Sequence, residues 1–388
     1  MIDQLAGIGR WPASGGYRRF AWTRIDHDLR AWFDAAAADA GLEVVVDRNG
    51  NQWAWWGDPD QTPGVASGSH LDSVPDGGAF DGPLGVVSAL AAVAELRADG
   101  FRPARPIGVV NFVDEEGARF GVACGGSRLL TGALAADRAL GLHDGDGVTL
   151  AEALRAAGQA TDLGRDERAM TRVAAFVELH VEQGKGLADL GAPVALASGI
   201  WPHGRWRAEM SGEANHAGTT RLADRRDPTL DHARLVLDAR RAAERHAALA
   251  TCGKVVIEPN GVNAIPARVT AWVDARGPEE TAVRDLVAEL AEHLEAGGQR
   301  LVEESWTPPT SFDAPLRDRL AGALSEPPVL ATGAGHDAGI LAAAGIPSAM
   351  LFVRNPTGIS HSPAEFAERD DCLAGLAALT AALRLLAS

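Results

Sequence analysis

Gly68-Ser69-His70-Leu71-Asp72-Ser73-Val74-Pro75-Asp76-Gly77-Gly78-Ala79-Phe80-Asp81-Gly82 sets one imidazole and the carboxylates of Asp72 and Asp81 in a glycine-rich loop, just after the apolar, strand-like Val65-Ala66. Zinc-like ions are held by neutral imidazole and carboxylate oxygen, and loops at strand ends can bend around an ion. Gly77, Gly78 and Gly82 supply that bend. Alone, the stretch reads equally well as a surface turn, because Asp and Gly dominate turns for backbone reasons. The rest of the chain tips the balance. Asp114-Glu115-Glu116 follows a second apolar run, Glu178-Leu179-His180 a third, and Ser360-His361-Ser362 sits near the C-terminus.

Outward from this loop the chain alternates between the two periodicities. Thr23 is a plausible N-cap for a helix in which Ile25, Leu29, Trp32, Phe33 and Ala36 recur at helical spacing until Gly41. Val44-Val45-Val46 reads as a strand closed by the turn Asp47 to Asn51. Then come a strand at Val65, a helix from Leu84 to about Arg97, a strand from Ile107 to Val113, and a strand from Ala174 to Leu179. Strands alternating with helices imply an α/β fold with a mixed, mostly parallel sheet covered on both faces. Ligands of such sheets bind beyond the carboxyl ends of the strands, where His70, Glu115, Glu116 and His180 are expected.

The pattern changes near Ala197-Ser198-Gly199. Alternating segments such as Trp206 to Met210 are followed by a long Arg- and Ala-rich helix from about Pro228 to Leu249, strands at Lys254 to Ile257 and Arg268 to Asp274, and a helix from Glu279 to about Glu295. Thr307-Pro308-Pro309-Thr310 looks like an exit linker. The expected organisation is a catalytic domain in two parts, residues 1–198 and 309–388, with an α+β domain inserted at 199–308.

A chain of 388 residues is long for one core, which agrees with two domains. A net charge of −16 argues against a nucleic-acid partner, because phosphate binding needs basic patches. Cys124, Cys252 and Cys372 are odd in number and lack CxxC spacing, as expected of a reducing, cytoplasmic protein. Cys124 has no base among its neighbours and reads as a packed thiol. The N-terminal residues lack a basic region followed by an apolar one, and no later run is long enough to span a bilayer, so neither export nor membrane insertion is expected.

The ordered set His70-x-Asp72, Asp81, Glu115-Glu116, His180 and His361 resembles the metallopeptidase superfamily of carboxypeptidase G, the aminoacylases and di-zinc aminopeptidase-like enzymes. Gly68 to Pro75, Glu115 to Phe120, Glu178 to Gly184 and Ile359 to Pro363 look like its amidohydrolase branch: allantoate amidohydrolases, N-carbamoyl-L-amino acid hydrolases and β-ureidopropionases. The resemblance spans nearly the whole chain. It implies a di-metal aminopeptidase-like fold with an inserted lid and dimerisation domain. Two divalent ions per subunit (zinc, manganese, cobalt or nickel) would be held with Asp81 as the bridge, His70 and His180 on one ion, and Glu116 and His361 on the other. A shared carboxylate lowers the repulsion between two dications, and the paired ions can clamp a water. Adjacent side chains on an extended loop diverge, which leaves Glu115 free to act as general base, the role the resemblance also gives it. Asp72 looks like the carboxylate that orients His70.

In the inserted domain, Gly212 to Thr220 resembles the branch's lid motif, whose histidine, here His216, acts on the scissile carbonyl in the partner subunit of a homodimer. Asn263 and Arg276 match positions that hold the substrate carboxylate, and Gln183 resembles a polar pocket residue. Arg221 stands where the branch often has proline, and Ala275 where a larger apolar residue is usual. His336-Asp337 reads as support near the site, and Trp53, Trp55 and Trp56 as core or interface. The implied substrate is a small anionic ureido or carbamoyl compound. Allantoate ranks first, an N-carbamoyl-L-amino acid next, and an N-acyl amino acid or dipeptide third. A non-catalytic binding protein on the same scaffold is the rival from another class.

Overall fold

The computed structural model describes residues 2–388, which divide into two compact units. One comprises residues up to Gly199 together with Ser311–Ser388; the other is Ile200–Thr310.

The first unit is built on a nine-stranded sheet. Its four central strands run in the spatial order Ile107–Phe112, Gly64–His70, Val173–Val181 and Ser348–Val353, each parallel to its neighbour. Glu43–Val46 and Gln52–Trp56 extend it antiparallel on one side, and Val194–Ile200 pairs antiparallel with Ser348–Val353 on the other. The alternation read in the sequence thus yields a largely parallel sheet, with antiparallel margins. The central strands lack in–out alternation because both faces are covered: Gly64–His70, Ile107–Phe112 and Ser348–Val353 are buried throughout.

The helix Pro83–Ala98 packs on the sheet and is itself covered by the C-terminal helix Arg369–Ala387, so it is buried around most of its circumference. Its apolar sequence, with no polar stripe, follows from that position. Gly68 pairs with Val110 at the centre of the sheet. A Cβ there would lie 2.0 Å from the Val110 carbonyl oxygen, so only glycine lets these two strands close. Trp53 and Trp55, two residues apart on one strand, stack at 6.1 Å and are buried; Trp53 also meets the edge of Phe112 at 5.7 Å. These two tryptophans are core.

The second unit is a four-stranded antiparallel sheet in the order Arg300–Thr307, His203–Ser211, Arg268–Arg276 and Leu249–Glu258, with helices Pro228–Arg245 and Glu280–Ala296 sharing its core. The long helix stops four residues short of the expected Leu249. Ala247 takes a left-handed φ of 51° and ends the helix; Ala248 turns into the core, and Leu249 starts a strand opposite Arg276. The Ala-rich sequence hides this stop, because propensity does not register the sheet pairing that competes for these residues. No helix among the described residues is long and apolar enough to cross a membrane.

Candidate metal centre

The six ligand-type residues of the first unit gather around the carboxyl ends of its central strands. His70 is the last residue of Gly64–His70, His180 lies one residue from the end of Val173–Val181, Glu115 and Glu116 follow Ile107–Phe112, and His361 follows Ser348–Val353. Asp81 precedes Gly82, the N-cap of Pro83–Ala98.

Asp81 sits between two groups of side chains. Its Oδ1 lies 3.2 Å from His180 Nε2 and 3.7 Å from His70 Nε2, whereas its Oδ2 lies 3.5 Å from His361 Nε2. His361 Nε2 is in turn 3.5 Å from Glu116 Oε2. Two ligands bonded to one ion at about 2.0–2.1 Å with near-tetrahedral angles stand roughly 3.3 Å apart, close to these separations. His70, Asp81 and His180 form one group able to hold a cation; Asp81, Glu116 and His361 form another.

The imidazoles are prepared for such an ion. His180 Nδ1 is 2.9 Å from the Val181 carbonyl and His70 Nδ1 is 3.2 Å from that of Asp72. A proton on each Nδ1 leaves the Nε2 lone pairs unused, and both Nε2 atoms are buried without a hydrogen-bond partner. Electrostatics adds a second fit. Burial and the charge of Asp81 push Glu116 up to about 8, and burial pushes Glu115 well above the carboxylate range. Against its own burial, His180, His70 and His361 hold Asp81 well below that range. Crowded buried carboxylates of this kind are what a divalent cation relieves.

Asp72 does more than orient His70. Its Oδ1 lies 3.4 Å from His70 Nδ1 and accepts the Glu115 amide at 3.1 Å, while its Oδ2 accepts the Glu116 amide at 3.0 Å. The acidic loop is therefore not extended; Asp114 has φ 55° and Gly117 φ 61°. This corrects the expectation that the two glutamates diverge. Glu115 Oε2 comes within 3.8 Å of His70 Nε2, and Glu115, Glu116 and His70 make a third grouping with metal-holding proximity. Cys124, buried, donates its thiol to Glu115 Oε1 at 3.3 Å, and burial pushes that thiol well above its usual range. It is an unreactive neighbour of the acid.

Gln183 faces the cluster. Its Nε2 donates to Asp81 Oδ2 at 2.8 Å and lies 3.3 Å from His361 Nε2. Three supporting residues escaped the sequence reading. Ser360 Oγ donates to Asp81 Oδ2 at 3.1 Å. Glu365 Oε2 accepts the amides of Phe80 and Asp81 at 2.8 and 3.1 Å. Glu178 joins Ser69 Oγ to the Ala338 amide at 2.7 and 2.9 Å. Glu178 and Ser360 stood inside quoted motifs, whereas nothing local distinguishes Glu365 from a surface acid. His336 lies against His180, ring centroids 4.5 Å apart; its Nε2 is buried without a hydrogen-bond partner, and the residue groups with Glu178 and His180.

His216, Asn263 and Arg276 belong to the second unit. Asn215-His216 pairs antiparallel with Ala264-Ile265, and the Ala217 amide donates to the Asn263 carbonyl at 3.0 Å, so His216 and Asn263 are neighbours. Arg276 is removed from them along the sheet, with its guanidinium paired to Asp274 at 2.6 Å. Arg221 has φ −62°, the value proline would impose, and its side chain meets Asp224 at 2.6 Å. Ala275 is fully buried in the core of the unit.

The profile of Peptidase family M20/M25/M40 matches residues 66–385. The chain is 37% identical to an N-carbamoyl-L-amino acid amidohydrolase of Geobacillus stearothermophilus, over 96% of this chain and 94% of that protein. It is 32% identical to an allantoate amidohydrolase of Bacillus subtilis, over 100% and 96%. A crystal structure of an amidase of the hydantoinase/carbamoylase family from Burkholderia vietnamiensis superposes with a TM-score of 0.92 at 31% identity, covering 100% of this chain and 96% of that one.

Proposed function

Because the chain belongs to Peptidase family M20/M25/M40 and is a hydrolase of non-peptide C–N bonds, we propose that it cleaves a linear ureido or carbamoyl group on a carboxylate-bearing substrate, using two divalent ions. The observation that carries this reading is Asp81, with one oxygen facing His70 and His180 and the other facing His361 and, beyond it, Glu116. When bound, such a pair of ions lowers the pKa of water and polarises a carbonyl.

The chain's own residues supply the rest. His70 and His180 would hold one ion through Nε2, Glu116 and His361 would hold the other, and Asp81 would serve both. Asp72 fixes the backbone from which Glu115 and Glu116 project. Glu115 takes the proton of the attacking water and passes it to the leaving nitrogen. Gln183 donates to Asp81 Oδ2 and so steadies the carboxylate shared by the two sets. His216, acting across a homodimer, donates to the oxygen on which charge develops. Arg276 holds the substrate carboxylate after exchanging its contact with Asp274 for the ligand, and Asn263, beside His216, binds the ureido group.

Allantoate is the first substrate to test. An N-carbamoyl-L-amino acid is the second reading, favoured by the 37% identity to the Geobacillus enzyme. The two share the terminal ureido group, and hydrolysis of either releases ammonia. Ammonia release is therefore followed for the enzyme loaded in turn with zinc, manganese, cobalt or nickel, against allantoate, N-carbamoyl-L-amino acids, an N-acetyl amino acid and a dipeptide, with amino acid release as a parallel readout. Release from carbamoyl amino acids but not allantoate reverses the order. Cleavage of the acetyl or dipeptide substrates alone, or of none, refutes the ureido reading.

A further inference from the structure

The reactive form of His216 is set by its surroundings within the second unit. The Gly218 amide donates to His216 Nδ1 at 2.9 Å. A backbone N–H can only donate, so Nδ1 is the acceptor and the ring's single proton resides on Nε2. His216 is exposed, and among the described residues its ring is hydrogen-bonded through Nδ1 and not through Nε2. A histidine in this tautomer is a donor toward solvent or a ligand. In the other tautomer it would be an acceptor, repelled by a carbonyl oxygen.

What keeps Gly218 in place is not apolar packing, since His216 to Thr220 is largely exposed. The turn is closed on the His216 carbonyl by Thr220, through its amide at 3.2 Å and its hydroxyl at 2.8 Å. Arg225 then grips it from outside. Its Nη2 donates to the Ala217 carbonyl at 2.6 Å and its Nε to the Thr220 carbonyl at 3.1 Å, one bond on each side of Gly218. Arg225 stands on a fixed post. The adjoining Arg226 carbonyl accepts the Glu213 amide at 2.9 Å, and Asp227 caps the helix Pro228–Arg245. A planar guanidinium can span two carbonyls in fixed geometry, which the single ammonium of lysine cannot.

We propose that Arg225 is a positioning residue for His216: by tying Ala217 and Thr220 together it holds the Gly218 amide on Nδ1 and so keeps His216 a hydrogen-bond donor through Nε2. The consequence for turnover rests on the reading of His216 as the group that meets the substrate carbonyl; the tautomer does not.

The test uses the full-length, metal-loaded protein labelled with 15N-histidine, with the His216 signals assigned by their loss in H216N. Imidazole nitrogen shifts, recorded where the ring is neutral, report which nitrogen carries the proton. The wild type is expected to show Nε2–H alone and R225A a mixture, with R225K between them. G218P, which removes the amide donor and leaves Arg225 intact, is expected to show the same mixture and serves if R225A does not fold. On a cleaved ureido substrate, kcat falls about tenfold to a hundredfold in R225A while KM moves less than about threefold, and R225K recovers part of the loss; removing a whole oxyanion donor costs about a hundredfold to a thousandfold. A wild-type ring protonated on Nδ1, or an R225A ring that stays wholly Nε2–H, overturns the proposal. A shifted tautomer in R225A with kcat unchanged in both R225A and H216N upholds the positioning role and refutes the catalytic reading of His216.

Discussion

Gly82→Ala probes how closely the backbone is built around His70. Gly82 has φ 82° and ψ −60°, a conformation that costs a residue with a side chain about 1–3 kcal/mol. A Cβ there would also lie 2.4–2.6 Å from three atoms of the His70 ring. The ring has nowhere to go, being buried and held through Nδ1 at 3.2 Å from the Asp72 carbonyl. Overpacking of this kind costs about 1–3 kcal/mol, so the combined loss is about 2–6 kcal/mol. Because the displaced group is a proposed ligand, divalent-metal affinity is expected to fall by about 10–100-fold as well. Gly121→Ala is the matched control: Gly121 has φ 80°, but a Cβ would meet nothing within 4 Å, so only the backbone cost applies. Urea unfolding of the metal-free proteins and competition titration against a chelator read both quantities. The reasoning fails if Gly82→Ala loses no more stability than Gly121→Ala and binds metal as tightly as the wild type.

Glu115→Gln should lower turnover by about 10²–10⁴-fold while metal content measured by atomic emission stays near that of the wild type; loss of metal would make Glu115 a ligand, as its place beside His70 and Glu116 also permits. Glu365→Ala removes the acceptor of the Phe80 and Asp81 amides and should cost about 2–4 kcal/mol in urea unfolding, with Glu365→Gln recovering part of it. Burial raises Asp26 to about 6. The folded protein therefore keeps a proton that the unfolded chain releases from about pH 4, and stability falls as pH rises from about 4 to 6. Asp26→Asn should abolish that slope and be more stable than the wild type by up to about 3 kcal/mol at pH 7, less the strength difference of its bond to the Trp22 amide; a parallel pH dependence in the two proteins would exclude this origin.

Three of the four central strands were legible because they are short apolar runs ended by chemistry-bearing residues, and the helix after Thr23 follows a simple capping rule, whereas Ser348–Val353, followed by Arg354 and Asn355, carries no such mark. Asp76, in the same loop as Asp72 and Asp81, stands in a turn with φ 59° and pairs with Arg18 and Ser14. What periodicity did not carry was three-dimensional reciprocity. The convergence of Glu115 and Glu116 depends on Asp72, 43 and 44 residues upstream, accepting both amides. Glu365 is 284 residues from the amide of Asp81. Ala247 ends its helix because of a sheet partner that no local window contains. Gln183, expected against substrate, is engaged with Asp81 and His361, a contact between segments far apart in the chain.

The strand Ser348–Val353 lies inside the sheet, between Val173–Val181 and Val194–Ile200, although it is the last strand of the chain. During synthesis the first unit therefore cannot close its hydrogen-bonded ladder until Ser348–Val353, which follows the whole second unit, has left the ribosome. His361 emerges later still. The second unit, continuous from Ile200 to Thr310, has all of its strands and helices available earlier and is free to fold while the larger sheet still waits for its missing member. A nascent chain holds His70, Asp81, Glu116 and His180 without the fifth donor until His361, which follows Ser348–Val353 in sequence, has been made. Completion of the site thus waits for residues that follow the whole second unit, and a product terminated before Ser348 lacks both a closed sheet and a full set of donors.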